Sequence, residues 1–88
     1  MTNVPIRQVD FPSLVRIKHR GIRAVVRNVG DALRLIELEL PIELRMLPRW
    51  KFAHALLQHA ERTGKKKDLS TAFRQFRQAL LDEGWLAA

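Results

Sequence analysis

The sequence predicts an α+β domain of ββααα order, an N-terminal two-stranded antiparallel β-hairpin packed on three α-helices. Three observations carry that prediction. Residues 14–27 are rich in Val and Ile and hold a single turn signal, Gly21. Apolar residues then recur at helical spacing in three later stretches. Asn28, Pro41, Gly64 and Gly84 stand where those stretches should start or stop.

Residues 1–13 contain Pro5 and Pro12 and show no sustained period, so they read as an extended arm, with Phe11 capping the core. Residues 14–88 form the single domain. A two-residue loop at Arg20-Gly21 pairs His19 with Ile22, Ile17 with Ala24 and Val15 with Val26 on the buried face. The other face then pairs Lys18 with Arg23, Arg16 with Val25 and Leu14 with Arg27. Arg is not the Asn or Asp that a type I′ turn prefers at its first position, so a longer loop is the alternative.

Asn28 is placed to cap the first helix, and Asp31 puts a negative charge near its positive end. Val29, Ala32, Leu33, Ile36 and Leu40 make its buried stripe, and Pro41 stops it. Leu35 and Leu38 fall off that stripe, so they either meet the later helices or form an exposed patch for self-association. The stretch Pro41 to Pro48 reads as a connection, although Ile42, Leu44, Met46 and Leu47 make it apolar enough to be packed down. Arg49 to Thr63 is the second helix, with Trp50, Ala53, Leu56, Leu57 and Ala60 on one face and Gly64 as its C-cap. Lys65, Lys66 and Lys67 form a loop, and Asp68 or Ser70 caps a third helix that buries Leu69, Ala72, Phe73, Phe76, Ala79 and Leu80. Gly84 ends it, and Trp85 and Leu86 fold back onto the core.

At 88 residues the chain can build one hydrophobic core. A domain of this size hides only about 60–65% of its unfolded surface, so a partner subunit that covers more apolar area would help it. Its 47% hydrophobic and 28% charged content lies outside the regime of intrinsic disorder. The lack of cysteine excludes disulfides, thiolate nucleophiles, iron–sulfur clusters and cysteine zinc sites. Met1 to Asp10 lacks a signal pattern and no apolar run reaches the roughly 18 residues of a membrane span, so a cytoplasmic location is expected. The net charge of +7 is unevenly spread: +5 over residues 1–30, −2 over 31–48, +5 over 49–67 and −1 over 68–88. Such asymmetry attracts nucleic acid, anionic lipid or an acidic protein, although solvated surface charge explains it equally well.

The hairpin, Val29-Gly30-Asp31-Ala32-Leu33, the helix led by Trp50, Gly64, and a helix carrying Ala72-Phe73-Arg74 and Phe76 to Ala79 together resemble a small bacterial family, mainly alphaproteobacterial, catalogued as domain of unknown function 982. The resemblance spans about residues 11–86 and rests on core and capping positions. It implies a Trp-Pro pair after the first helix and a cysteine in the second; here Pro41 has no tryptophan before it and cysteine is absent. The family has no established activity, so the resemblance brings no functional residues.

No pattern of side chains suggests an enzyme. His54 and His59 are five apart, about 140° around a helix, whereas ligands on one face need a spacing of three or four. His19 suits the rim of the core. Ser13 and Ser70 lack a glycine-flanked nucleophile turn, and Glu37/Glu39 and Asp82/Glu83 point apart on a helix. The four glycines are too scattered for a phosphate loop. No metal, cofactor or catalytic residue is therefore expected.

What remains is basic. Arg16, Lys18, Arg23 and Arg27 have no acidic neighbour within residues 14–27, and Lys18 opposite Arg23 is a repulsive pair that an anion would relieve. With Lys65, Lys66 and Lys67 close in space, they could track a phosphate backbone. Lysines on a two-stranded sheet also guard its edges against aggregation. Two functions are consistent with these residues, the first of them the leading expectation and the second its alternative. One is a non-enzymatic module binding a protein partner or a second copy of itself through Leu35, Leu38, Leu44 and Leu47. The other is nonspecific nucleic-acid binding through the basic hairpin face and the lysine loop.

Overall fold

The computed structural model describes residues 10–19 and 22–86. Two strands, β1 (Asp10–His19) and β2 (Ile22–Asn28), form an antiparallel sheet and are followed by helices, so the fold is α+β. The helices are α1 (Val29–Arg34), which runs on into a π-helical turn (Leu35–Glu39), then α2 (Ile42–Arg45), α3 (Pro48–Thr63) and α4 (Lys66–Glu83). The Arg20-Gly21 loop and the arm before Asp10 lie outside the described residues.

The hairpin adopts the register expected from its alternation: Val15 opposite Val26, Arg16 opposite Val25, Ile17 opposite Ala24, Lys18 opposite Arg23 and His19 opposite Ile22. One expected pair is absent. Leu14 does not face Arg27, because four residues of β1, Phe11 to Leu14, bulge out opposite Arg27 alone before pairing resumes at Asp10 and Asn28. Pro12, which has no N–H to give a ladder, sits in the bulge, where such a residue costs least. The strand thus begins within the stretch read as an arm, and the bulge lets Phe11 reach the core, where its ring lies 5.0 Å from Phe73 and 6.0 Å from Phe76. Val15, Ile17 and Val26 are buried beneath the sheet, while Arg16, Lys18, Val25 and Arg27 are exposed above it.

Asn28 ends β2 and caps α1: its side-chain oxygen accepts the Asp31 N–H at 2.8 Å, and Asp31 in turn accepts the Arg27 N–H at 3.1 Å. The expected stripe of Val29, Ala32, Leu33, Ile36 and Leu40 is buried. Near its end the helix widens, and the Leu40 N–H donates to the Leu35 carbonyl five residues back, at 3.0 Å. Leu35 and Leu38 divide between their two alternatives: Leu35 is buried, whereas Leu38 is 72% exposed. The connection after Pro41 is not a loop but the short helix α2, with Leu44 and Leu47 packed against the core and Ile42 and Met46 exposed.

Helices α3 and α4 form an antiparallel pair joined at Gly64-Lys65. Gly64, with φ of 66°, takes the left-handed C-cap that the sequence assigns to it. The start of α4 differs from expectation. Lys66 and Lys67 are in its first turn, Lys65 stands at the N-cap without a side-chain cap, and neither Asp68 nor Ser70 caps it. Asp68 is instead drawn back across the turn, accepting from Thr63 Oγ1 at 2.7 Å and lying 3.4 Å from His59 Nε2.

Beyond Gly84 the chain returns to the sheet as expected. Trp85 is buried and stacks on His19, with ring centroids 4.1 Å apart, and its carbonyl accepts the Lys18 N–H at 2.8 Å. Leu86 bridges Ile17 on the outer edge of β1. The core is the layer between sheet and helices, and its largest fully buried side chains are Trp50, Phe76, Leu57, Leu80, Val15, Val26 and Val29. Burying a Val, Leu or Phe in this way is worth about 1.5–3 kcal/mol each.

Two substitutions test this reading in urea denaturation. Asn28→Ala should cost about 1 kcal/mol, the usual worth of a side-chain cap. Gly84→Ala should cost about 1–2 kcal/mol from the left-handed backbone alone, since an added Cβ there meets nothing within 4 Å.

Candidate nucleic-acid interface

The sequence-predicted cations are not gathered into one site. Arg16, Lys18 and Arg27 are exposed on the hairpin, and Arg23 stands at the register position opposite Lys18. Lys65, Lys66 and Lys67 are exposed at the opening of α4. Because the Lys18 N–H is bonded to Trp85 just past the far end of α4, the lysine run and Lys18 are separated by the length of that helix, about 27 Å. The expected juxtaposition of the lysine run with this end of the hairpin is therefore corrected.

The larger basic surface is one that the charge sums along the sequence do not reveal. Along α4, Lys66, Lys67, Ser70, Arg74, Arg77 and Leu81 are all exposed. Their steps of three and four residues place them on one side of the helix, opposite the buried Ala72, Phe76 and Ala79. The three acids of α4 are committed elsewhere. Asp68 faces Thr63 and His59; Asp82 lies 3.8 Å from Arg49 Nε; and Glu83 accepts from Arg49 Nη1 at 2.9 Å and from the Trp50 indole N–H at 3.1 Å. All are turned toward α3. The outward face of α4 thus carries Lys66, Lys67, Arg74 and Arg77 with, among the described residues, no carboxylate within ion-pairing distance.

Arg77 also lies over the Phe73 ring, 5.9 Å from its centroid, and Phe73 packs on Phe11 of β1. The stripe on α4 is linked in this way to the first strand of the hairpin. Three lysines at the start of a helix oppose its dipole, whose positive end favours anions. With no side-chain cap at Lys65, nothing local except Asp68 offsets that arrangement.

Elsewhere, a cleft of about 300 Å³ is lined by Ile36, Glu37, Arg45, Trp50, Lys51 and His54. Glu37 occupies its polar groups: its carboxylate lies 2.8 Å from His54 Nε2 and its carbonyl accepts from Arg45 Nη1 at 3.1 Å. Arg45 Nε has no partner among the described residues but is sealed from solvent, so a molecule in the cleft could not reach it. No group of three or more His, Asp or Glu is placed to hold a metal ion among the described residues. No described helix is long and apolar enough to cross a membrane. No family model matches the chain, and neither a curated protein nor a solved structure does so.

Arg74 and Arg77 could have been found from their spacing to Lys67 and Ser70 on the face opposite the predicted core stripe. Lys65 offers a direct check on the unfavourable start of α4. Lys65→Asp supplies a cap and a charge that suits the dipole, so it should raise stability by about 0.5–2 kcal/mol in thermal or urea unfolding.

Proposed function

We propose that this chain is a non-enzymatic nucleic-acid-binding domain that holds the phosphate backbone through α4, with the hairpin cations as a second contact. The observation that carries this reading is the sorting of charge on α4. Its acids turn inward to α3, and its solvent face is left with four cations that lack carboxylate partners among the described residues. A phosphate polyanion answers such a stripe in kind, and release of its counterions supplies the driving force. The exposed Arg16, Lys18 and Arg27 extend the positive field.

The protein-partner reading draws support from a smaller feature. Of its four apolar positions Leu35 is buried and Leu44 and Leu47 are partly buried against the core, so only Leu38 stays well exposed. With Ile42 and Met46, 57% and 58% exposed, Leu38 makes an apolar series in the segment joining α1 to α3. Self-association through that series predicts a dimer in light scattering at high micromolar concentration that Leu38→Glu returns to monomer. A monomer at the outset would remove this reading.

For nucleic acid, fluorescence anisotropy with labelled oligonucleotides over roughly 50–200 mM salt is the test. Affinity should fall steeply as salt rises. Replacing Lys66, Lys67, Arg74 and Arg77 by Ala should weaken binding to all sequences alike and flatten the salt slope by about 0.7–0.9 for each phosphate no longer neutralised. A folded quadruple variant that binds as the parent does would refute the assignment to α4.

A further inference from the structure

We infer that the strand held by α4 is single, and that one of its bases stacks on Phe52. This rests on the nucleic-acid reading above and goes beyond it by naming the form of the ligand and its base contact.

Phe52 is the one feature of α3 that the core does not explain. The residue is 54% exposed, although Trp50, Ala53, Leu57 and Ala60 on the same helix are fully buried. It stands about 160° around the helix from Trp50, away from the core. The two ends of the α3–α4 pair fix its level. Arg49 meets Asp82 and Glu83 at one end, and Thr63 meets Asp68 at the other. One turn beyond Arg49 on α3 is therefore level with the turn of α4 before Asp82, at Gln78 and Ala79.

Helical phase puts Phe52 on the same outer side of the pair as Gln78, with Arg74 one further turn along. An exposed aromatic residue on α3 thus stands level with the Arg77 end of a cationic run on α4 whose length from Lys66 to Arg77 is about 16 Å.

That pairing distinguishes among polyanions. A duplex presents phosphates to a helix face and keeps its base faces stacked on each other, so it has no use for a flat ring beside the cations. A single strand offers both: its phosphates follow the cations and an unstacked base covers the ring. Gln78, exposed one turn from Arg74 on α4, adds an amide that can meet a base edge or sugar. Its Nε2 donates to Asp82 Oδ1 at 3.0 Å, leaving its carbonyl oxygen and second N–H for such a contact.

The test compares a short oligouridine, the matching deoxythymidine oligomer, a duplex of mixed sequence and vesicles of anionic phospholipid, each against the full chain. The single strands should bind more tightly than the duplex. Phe52→Ala should weaken single-strand binding about 5- to 150-fold, the range for removal of one base–aromatic stack, with the salt slope unchanged because every cation is kept. Phe52→Leu should weaken it as much, since it keeps apolar area without a π-face, and Phe52→Tyr should retain binding. Unfolding midpoints of all three should lie close to the parent's, as more than half of the residue is exposed. Single-strand affinity unaltered in Phe52→Ala, or a duplex bound more tightly, would overturn this inference and leave the nucleic-acid reading standing. Absence of binding to every oligonucleotide would overturn both, as would binding to the vesicles alone.

Discussion

The indole N–H of Trp50 is the constraint around which the rest is arranged. A polar hydrogen at the centre of an apolar core needs an acceptor, and a donor left alone there costs about 1–3 kcal/mol. Glu83, at the last turn of α4, supplies that acceptor and shares its carboxylate with Arg49. One glutamate thus ties the first turn of α3 to the last turn of α4. The Trp50 ring meets Phe76 edge-on at 6.2 Å and lies 6.5 Å from Trp85, which stacks on His19 of the hairpin. The tryptophan that binds the helices to each other is therefore also two rings away from the sheet.

The distribution of surface charge follows from the same arrangement. Glu83 and Asp82 are held against α3 at one end of the pair, and Asp68 closes against Thr63 and His59 at the other. Each acid of α4 is engaged in holding the two helices together. The positive face of α4 is what remains on the outside. A structural requirement and a binding surface are in this way two sides of one helix, and the acids that stabilise the pair are the ones kept away from the cations.

The parts of the fold legible in the sequence are those settled by neighbours in the chain. Alternation over residues 14–27 set the hairpin register, Asn28 capped the helix that begins beside it, and Gly64 and Gly84 stood where left-handed caps were needed. The parts that were not legible depend on contacts across the molecule. The bulge at Phe11 to Leu14 exists because Phe11 reaches Phe73 and Phe76, and Asp68 leaves its cap position because Thr63 and His59 attract it. The basic stripe was hidden for a different reason. Residues 68–88 have a net charge of −1, and a sum along the chain cannot show that the positive and negative members lie on different faces of one helix. Phe52 was missed likewise, as a lone aromatic next to a strong core stripe.

The bond from the Lys18 N–H to the Trp85 carbonyl, with the bridge from Ile17 to Leu86, joins two of the most distant parts of the sequence. The hairpin can form early from local contacts, but its outer edge waits for the residues after α4 to arrive. Closing so long a loop is slow relative to helix growth. Until it happens the strand offers unpaired backbone groups to any other chain, so the exposed cations Arg16 and Lys18 have a second value, as repulsion that keeps half-folded molecules apart.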